Sequence, residues 1–220
     1  MGNIYITSDL HFGHLNNLTY SPRRAILTNE WCQSVGHVYP TQIDAHDEWL
    51  INKWNSKVTK YDTVYFLGDF SFRSRSDTES ILKRLNGHKF LIRGNHDTPL
   101  NGLENYFVWV GALKEIKIRA DVYDGIPESF NCILCHYPLL TWRMRSRGGI
   151  MLHGHCHGAL DEYNLKSGEL RMDVGMDGRL ANYEILSIQD IYMFAKKISQ
   201  GKTFLDYISD KIKSSDMFDC

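Results

Sequence analysis

Short apolar runs rich in β-forming residues recur along the chain, and turn residues end each of them. This pattern predicts buried strands, because an amphipathic helix would place apolar residues three and four positions apart over a longer stretch. Five of the runs are followed at once by Asp, Asn or His. Since ligands bind at the carboxyl ends of strands in α/β sheets, the pattern predicts one rim on which polar side chains converge. The five runs cover residues 4–8, 64–68, 91–94, 132–135 and 150–154.

Helical periodicity separates some of these strands. Apolar positions four residues apart predict an amphipathic helix over residues 45–57, with Asp44 as its N-cap. Residues 76–79 have the pattern of a capping box, so a second helix is expected to begin there and to end at Gly87. A strand, a helix and another strand in this order imply parallel strands with a right-handed crossover. The chain is therefore predicted to have an α/β fold.

The remaining segments complete a single domain over residues 1–220. Residues 116–119 alternate like a half-exposed strand that a turn at 124–125 can close into a hairpin, and 169–187 predict two further strands. Segment 188–220 predicts C-terminal helices around 188–198 and 204–212. Segment 15–45 carries Pro and Gly breakers, and we expect it to be a long connection on the substrate side of the fold.

Composition excludes several classes of protein. A chain of 220 residues with 43% hydrophobic and 23% charged residues is globular and long enough for a sizeable core. The 25 basic and 26 acidic residues leave a net charge of −1, which provides no overall basic field for nucleic acid, although a local basic patch stays open. No apolar run is long enough to span a bilayer, so no membrane association is expected. Without a signal-peptide pattern, the five Cys favour reduced thiols and a cytoplasmic location.

The side chains at the strand ends have the chemistry of metal ligands. Asp, Asn and His without paired thiols suit Mn²⁺, Fe or Zn²⁺ better than a structural thiolate zinc site. The candidates outnumber the ligands of one ion, so they can hold two ions if one carboxylate bridges them. Such a pair clamps the oxygens of a phosphoryl displacement and activates a water. The candidate ligands are Asp9, His11, Asp69, Asn95, His136, His155 and His157.

Two close pairs also have a plain structural interpretation. In an extended segment, residues two apart face the same side, so Asp9 and His11 can reach one ion; a turn Asp beside a surface His fits the spacing equally well. Cys132 and Cys135 could form a redox or zinc motif. Within a strand their thiols would face opposite sides, however, and the sequence has no second pair, so we expect them to pack in the core.

His96 follows the candidate ligand Asn95 and is the expected catalytic residue. A His at this position can protonate a leaving alkoxide. Asp97 could hold the His96 ring and favour its imidazolium form. The alternative is that His96 is a structural hydrogen-bond donor beside the metal ligands.

Four further residues are candidate substrate contacts. His14 is a third imidazole near Asp9 and His11. Arg23 and Arg24 lie in the 15–45 connection and could reach a substrate phosphate, or could form a solvated pair. Arg143 belongs to a basic loop after His136 that could contact substrate or could be a surface loop. The candidate substrate residues are His14, Arg23, Arg24 and Arg143.

The order of the motifs resembles the calcineurin-like metallophosphoesterases, in particular the small prokaryotic and phage-type branch. The resemblance covers residues 9–157 and rests on Asp9-x-His11, Gly68-Asp69, Gly94-Asn95-His96-Asp97, His136 and Gly154-His155-x-His157. It implies a four-layer αββα sandwich of two mixed sheets flanked by helices, with His96 as the catalytic His. It also implies one ion on Asp9, His11, Asp69 and His157, and a second on Asp69, Asn95, His136 and His155, with Asp69 bridging.

The predicted function is hydrolysis of a phosphodiester or phosphomonoester by a metal-activated water, with two divalent ions as cofactors. Mn²⁺ is the expected metal, with Fe, Zn²⁺ or Ni²⁺ as alternatives. A small nucleotide-type substrate is expected, because the short chain has no large capping domain. Alternatives are a nuclease acting on DNA or RNA ends with a phosphate track of Arg143, Arg145 and Arg147, a protein phosphatase, and a non-catalytic scaffold. The presence of His96 and every ligand argues against the scaffold; the oligomeric state stays open.

Overall fold

The computed structural model describes residues 2–20, 23 and 41–201 of the chain. Within these ranges, nine strands form two mixed sheets flanked by helices. The strands are β1 (Ile4–Thr7), β2 (Thr63–Phe66), β3 (His88–Ile92), β4 (Trp109–Gly111), β5 (Leu113–Ile118), β6 (Phe130–Cys135), β7 (Ile150–His153), β8 (Arg171–Asp173) and β9 (Leu186–Ser187). The helices are α1 (Leu15–Tyr20), α2 (Gln42–Lys57), α3 (Arg75–Arg84), α4 (Asp161–Ser167) and α5 (Ile188–Ser199), with short 3₁₀ helices at Thr98–Leu100, Glu104–Tyr106 and Arg145–Arg147.

The strand order explains how the chain returns repeatedly to one rim. The first sheet has the order β4-β3-β2-β1-β9, and β9 alone runs antiparallel to its neighbour in that sheet. The second has the order β5-β6-β7-β8, in which β5 and β6 form the predicted antiparallel pair and the other pairs are parallel. Helix α3 connects the parallel strands β2 and β3, which confirms the predicted β-α-β unit.

Apolar clusters on both faces of the sheets hold the layers together. One cluster joins Ile6 of the first sheet to Leu134 of the second and includes the buried face of α5. A second cluster packs α2 and α3 against the other face of the first sheet, and Trp54 of α2 is buried in it. A smaller cluster around Trp142 covers the outer face of the second sheet. These layers confirm the predicted α/β sandwich of two mixed sheets with flanking helices.

Both predicted helix caps are wrong by a few residues. Helix α2 is capped by Thr41, whose hydroxyl accepts the Asp44 N–H at 3.2 Å. Helix α3 is capped by Ser74, which accepts the Asp77 N–H at 3.2 Å. Each helix start offers hydroxyl or carboxylate residues at more than one position, Thr41 and Asp44 for α2 and Ser74 and Ser76 for α3, and each of these residue types satisfies the capping preference. The residue types thus predict that each helix is capped, but they do not distinguish which residue is the N-cap.

The 15–45 segment is partly helical where the structure describes it. Helix α1 begins directly after His14, and α2 begins at Gln42, inside the segment that was expected to be a connection. Arg24 and the predicted helix at 204–212 lie outside the described residues. Cys132 and Cys135 are buried in β6 as free thiols, which confirms the prediction of core packing.

The two sheets touch where the carboxyl ends of their parallel strands meet. An isolated parallel bridge joins Ser8, just after β1, to Gly175, just after β8. Close approach at this rim depends on glycine. A Cβ at Gly154 would overlap the side chains of Ser8 and Asp9, and a Cβ at Gly94 would overlap the carboxylate of Asp69. These turns therefore bring side chains from both sheets into one site.

Candidate metal centre

Five of the seven candidate ligands adopt the left-handed backbone conformation, which non-glycine residues rarely adopt. Main-chain hydrogen bonds hold the turns in place, with the Asp9 N–H donating to the Gly68 carbonyl at 3.0 Å and the His11 N–H to the Asp69 carbonyl at 3.1 Å. Asp9 and His11 are thus not in an extended segment as expected, although their side chains do meet. The five residues are Asp9 (φ 56°), His11 (55°), Asp69 (59°), His155 (67°) and His157 (46°).

The first cluster consists of Asp9, His11 and His157. Asp9 Oδ1 lies 3.6 Å from His11 Nε2 and 3.8 Å from His157 Nε2. The two imidazole Nε2 atoms are 3.2 Å apart. One carboxylate oxygen and two ring nitrogens therefore surround one small volume, and this group can hold a metal ion.

The second cluster consists of Asp69, His136 and His155, with Asn95 beside it. His136 Nε2 lies 3.6 Å from Asp69 Oδ2 and 3.0 Å from Asn95 Oδ1. Asp69 Oδ2 is also 3.9 Å from His11 Nε2 of the first cluster. Asp69 therefore lies between the two groups, and this second group can also hold a metal ion.

The donor atoms of both clusters fit a cation. His136 Nδ1 donates to the Leu67 carbonyl at 2.7 Å, and His157 Nδ1 donates to Asp177 Oδ2 at 2.8 Å. A neutral ring that donates through Nδ1 has its lone pair on Nε2. These lone pairs point at the carboxylates of Asp69 and Asp9, so hydrogen-bond acceptors face acceptors. A divalent cation is the group that such a convergence suits.

Burial and local charge set the protonation states of the clusters. Burial works to raise the pKa of the Asp9 carboxyl, but the surrounding imidazoles outweigh it and hold that pKa below its usual value. Burial lowers the pKa of His11 and of His155, which favours their neutral, metal-binding form. His157 differs, because the Asp177 carboxylate raises the pKa of its imidazole.

Arg23 is not placed to bind substrate, contrary to the prediction. Its side chain is fully buried and donates two hydrogen bonds to Asp177, at 2.8 and 2.7 Å. It also donates to the Asp9 carbonyl at 2.6 Å and to the Leu10 carbonyl at 2.7 Å. Arg23 therefore supports the turn that carries Asp9 and the carboxylate that orients His157.

Asp97 also has a different role from the predicted one. It is buried, and its carboxylate accepts main-chain N–H groups from Asp69 at 3.2 Å, Phe70 at 2.8 Å and Gly94 at 2.7 Å. Among the hydrogen bonds between described residues, none joins its carboxylate to the His96 ring. A buried carboxylate inside a turn is satisfied by the nearest amides, and adjacency in sequence to His96 was a misleading guide.

His96 and His14 lie at the edge of the clusters. The exposed His96 ring lies 6.2 Å from the His11 ring, and its main-chain N–H donates to Asp69 Oδ1 at 2.8 Å. The His14 ring lies 5.3 Å from the His11 ring, and burial lowers the pKa of its imidazole to about 4. Both rings thus lie beside the first cluster, and the predicted roles of His96 in catalysis and of His14 in substrate contact stay predictions.

The predicted arginine track is largely paired with carboxylates. Arg143 is exposed and lies 2.7 Å from Glu115, and Arg145 pairs with Glu169. In the part of the chain that the structure describes, Arg143 contacts none of the candidate ligands. The site instead includes Asp177, which sequence reasoning missed because it lies far along the chain from the His157 ring that it orients.

Comparison with known proteins shows the family. The family model described as calcineurin-like phosphoesterase matches residues 2–186. The chain belongs to the calcineurin-like phosphoesterase family. Membership confirms the resemblance of the motifs, and it supports metal-dependent phosphoester hydrolysis by this calcineurin-like phosphoesterase. The family typically binds two divalent metals, in agreement with the two clusters.

Similar proteins occur in phages, archaea and bacteria. The phosphoesterase is 30% identical over 181 residues to the Gene 66 protein of Mycobacterium phage L5, covering 73% of this chain and 80% of the relative. It is 29% identical over 205 residues to the uncharacterized protein MJ1445 of Methanocaldococcus jannaschii, covering 92% and 94% of the two chains. The crystal structure of the protein of unknown function AQ665 from Aquifex aeolicus has the same fold, with a TM-score of 0.56 and 21% identity over 88% of this chain and 100% of that one.

Among the described helices, none combines the length and the apolar character that crossing a membrane requires. The cytoplasmic location expected from the sequence stays a prediction.

Proposed function

We propose that this calcineurin-like phosphoesterase is a two-metal hydrolase of phosphodiester or phosphomonoester bonds, with a small nucleotide-type substrate. The observation that supports it most strongly is the position of Asp69 between the two clusters, 3.9 Å from His11 Nε2 and 3.6 Å from His136 Nε2. A carboxylate in this position can bridge two cations.

The proposed ligand sets share Asp69. Two divalent ions, when bound, would supply positive charge for the phosphoryl oxygens and would acidify a water. Mixed imidazole, carboxylate and amide donors without thiolate suit Mn²⁺, and they also accept Fe, Zn²⁺ or Ni²⁺. One ion would be held by Asp9, His11, Asp69 and His157, and the other by Asp69, Asn95, His136 and His155.

His96 is the proposed general acid. His96 is exposed beside the first cluster. Its main-chain N–H donates to the Asp69 carboxylate, and this hydrogen bond holds the His96 backbone next to the shared ligand. In hydrolysis, water oxygen bonds to phosphorus as the ester P–O bond breaks, and the departing oxygen needs a proton. The His96 imidazolium would donate that proton.

The test uses metal-stripped protein, with Mn²⁺ added back, on a nitrophenyl phosphomonoester and a bis-nitrophenyl phosphodiester. We expect Mn²⁺-dependent turnover and two equivalents of metal in the wild-type protein. Asp69→Asn should lose metal from both clusters and lower turnover by at least about a hundredfold, because the shared ligand loses its charge. Asp124→Asn, on the exposed turn between β5 and β6, is the matched control and should behave like the wild type. Two ions at full occupancy in Asp69→Asn would contradict the bridging role.

The general-acid role has its own test. His96→Ala should retain both metal equivalents and lower kcat by roughly 100- to 10,000-fold for esters with poor leaving groups. The loss should be much smaller for nitrophenyl esters, since their leaving groups need little protonation. An equal loss for every leaving group would exclude proton donation by His96.

A further inference from the structure

Two partly exposed aromatic rings border the candidate metal centre, one beside each cluster. Phe72 is 38% exposed, and its ring lies 5.4 Å from the His11 ring of the first cluster. Tyr137 is 46% exposed, and its ring lies 4.8 Å from the His155 ring of the second cluster. Large aromatic side chains usually bury most of their surface, so two partly exposed rings at a polar site need an explanation.

Main-chain pairing with Phe12 and ring contacts with three histidines hold Phe72 in place. Its main-chain N–H donates to the Phe12 carbonyl at 2.7 Å, directly after the parallel bridge between Phe12 and Ser71. Its ring stacks on His14 with 3.9 Å between ring centroids and 12° between planes, and lies 4.9 Å from the His96 ring. Phe72 is therefore a preorganised apolar surface among imidazoles.

Tyr137 is held beside the second cluster by contacts with two of the candidate ligands. It directly follows the candidate ligand His136, and its ring stands edge-on to that imidazole at 5.0 Å with an interplanar angle of 77°. The same ring is tilted by 66° to His155. Among the described residues, no group hydrogen-bonds its hydroxyl. Packing alone therefore holds the ring beside the second cluster.

The arrangement of the two rings distinguishes between substrate classes. A phosphomonoester has one organic group, whereas a phosphodiester has one on each side of the scissile phosphate. A ring beside each cluster offers a separate stacking surface for each of two flat groups. Nucleobases stack on exposed aromatic side chains whatever their identity.

Charge argues for a short substrate. The chain has a net charge of −1, and Arg143 and Arg145 are paired with Glu115 and Glu169. Two of the three arginines of the predicted track are thus neutralised by carboxylates, which leaves less positive charge for a long phosphate backbone to follow. Binding would then depend on stacking beside the scissile bond.

We propose that Phe72 and Tyr137 are specificity-determining residues that stack the two bases flanking the scissile phosphate of a dinucleoside-type phosphodiester. This inference rests on the two-metal hydrolysis proposed above. The reaction adds water across one P–O bond and yields a nucleotide and a nucleoside with a free hydroxyl.

The test is a cycle of substrate truncation and mutation. The substrates are thymidylyl-thymidine and two analogues in which the 5′-side or the 3′-side base is replaced by hydrogen. Phe72→Leu and Tyr137→Leu retain apolar bulk without a flat ring. Each should raise KM for the dinucleotide by roughly 5- to 100-fold. The KM increase of each variant should vanish with one abasic analogue and persist with the other. The analogue that removes the effect of Phe72→Leu should be the one that retains the effect of Tyr137→Leu.

Three controls separate stacking from structural effects. Phe72→Tyr and Tyr137→Phe keep the rings and should restore the dependence on each base. Tyr61→Leu removes a remote aromatic side chain that is 68% exposed and should leave KM unchanged. Both Leu variants should retain two metal equivalents; a loss of metal in Phe72→Leu would show that the ring positions His11 instead.

The remaining outcomes overturn the inference in distinguishable ways. A wild-type protein that hydrolyses bis-nitrophenyl phosphate, yet shows the same KM for all three dinucleotides or cleaves none of them, contradicts base stacking and leaves the hydrolase intact. A protein that hydrolyses none of these esters contradicts both proposals. Leu variants whose KM increase is independent of either base also exclude the stacking role.

Discussion

The two clusters are supported from behind by buried side chains of opposite charge. Behind the first cluster, the Arg23 cation donates to the carbonyls of Asp9 and Leu10 and to Asp177. Behind the second, the Asp97 anion accepts the amides of Asp69 and Gly94, among others. A turn in which ligand residues have positive φ cannot continue the hydrogen-bond ladder of a sheet. Some main-chain carbonyls or amides of the turn therefore need partners from elsewhere. The comparison shows that a buried cation can satisfy the carbonyls of one turn and a buried carboxylate the amides of the other.

Removal of Arg23 should produce the largest effect on stability. Arg23→Met keeps most of the apolar bulk but removes the buried cation that donates to the Asp177 carboxylate and to two main-chain carbonyls. We expect a loss of about 3–5 kcal/mol in the free energy of unfolding of the metal-free protein. Urea denaturation measures it, with the exposed Arg119→Met as the matched control. A loss equal to that of the control would contradict the supporting role of Arg23.

Removal of the charge on Asp97 should have a smaller effect. Asp97→Asn keeps the shape, but the amide can accept through one oxygen only, and its NH₂ group would face a main-chain N–H. We expect a loss of about 1–3 kcal/mol in the free energy of unfolding, together with weaker metal binding at the second cluster. The same denaturation experiment applies, beside Asp124→Asn. If metal is lost from the first cluster only, the assignment of Asp97 to the second is wrong.

Asp177 distinguishes the clusters most directly, because His136 of the second cluster is oriented by a main-chain carbonyl instead. Asp177→Asn should weaken one of two metal equivalents by roughly 10- to 100-fold and leave the other unchanged. Calorimetric titration with Mn²⁺ gives both affinities. Equal weakening of the two equivalents would show that the Asp177 carboxylate acts on both clusters.

The pH dependence of metal release should show the smallest difference. Asp177 raises the pKa of His157 above its ordinary value of 6.5, so this ring takes up a proton at a higher pH than usual and competes with a cation there. Burial lowers the pKa of His155, so protonation of that ring begins at a lower pH. As pH falls, the first cluster should release its ion before the second. Metal content after equilibration across the pH series should decrease in two steps, and the upper step should move to lower pH in Asp177→Asn.

The convergence of ligands could be predicted because it depends on local patterns. Apolar runs that end in glycine and then Asp, Asn or His describe a buried strand and its turn, and parallel strands bring such turns to one rim. The seven candidate ligands are together for this reason. That they bind metal is still a prediction.

The supporting residues could not be predicted because their partners are distant in sequence. Arg23 was expected to contact substrate or to be solvated, because an arginine in a long connecting segment usually lies at the surface. Asp97 was assigned to its neighbour His96, although its hydrogen bonds reach Phe70 across the turn. Backbone conformation was also missed, since nothing in the residue types Asp and His announces a positive φ at Asp9 or His157.

The turn after β7 has a consequence for the pair of clusters as a whole. His155 and His157 are separated by one residue, yet they belong to different clusters. A backbone rotation that moves one ring relative to the other ligands of its cluster also moves the other ring, because both are carried by the same two peptide units. The relative position of the two imidazoles is thus set by these two peptide units, and an insertion or deletion of one residue there would displace a candidate ligand of each cluster.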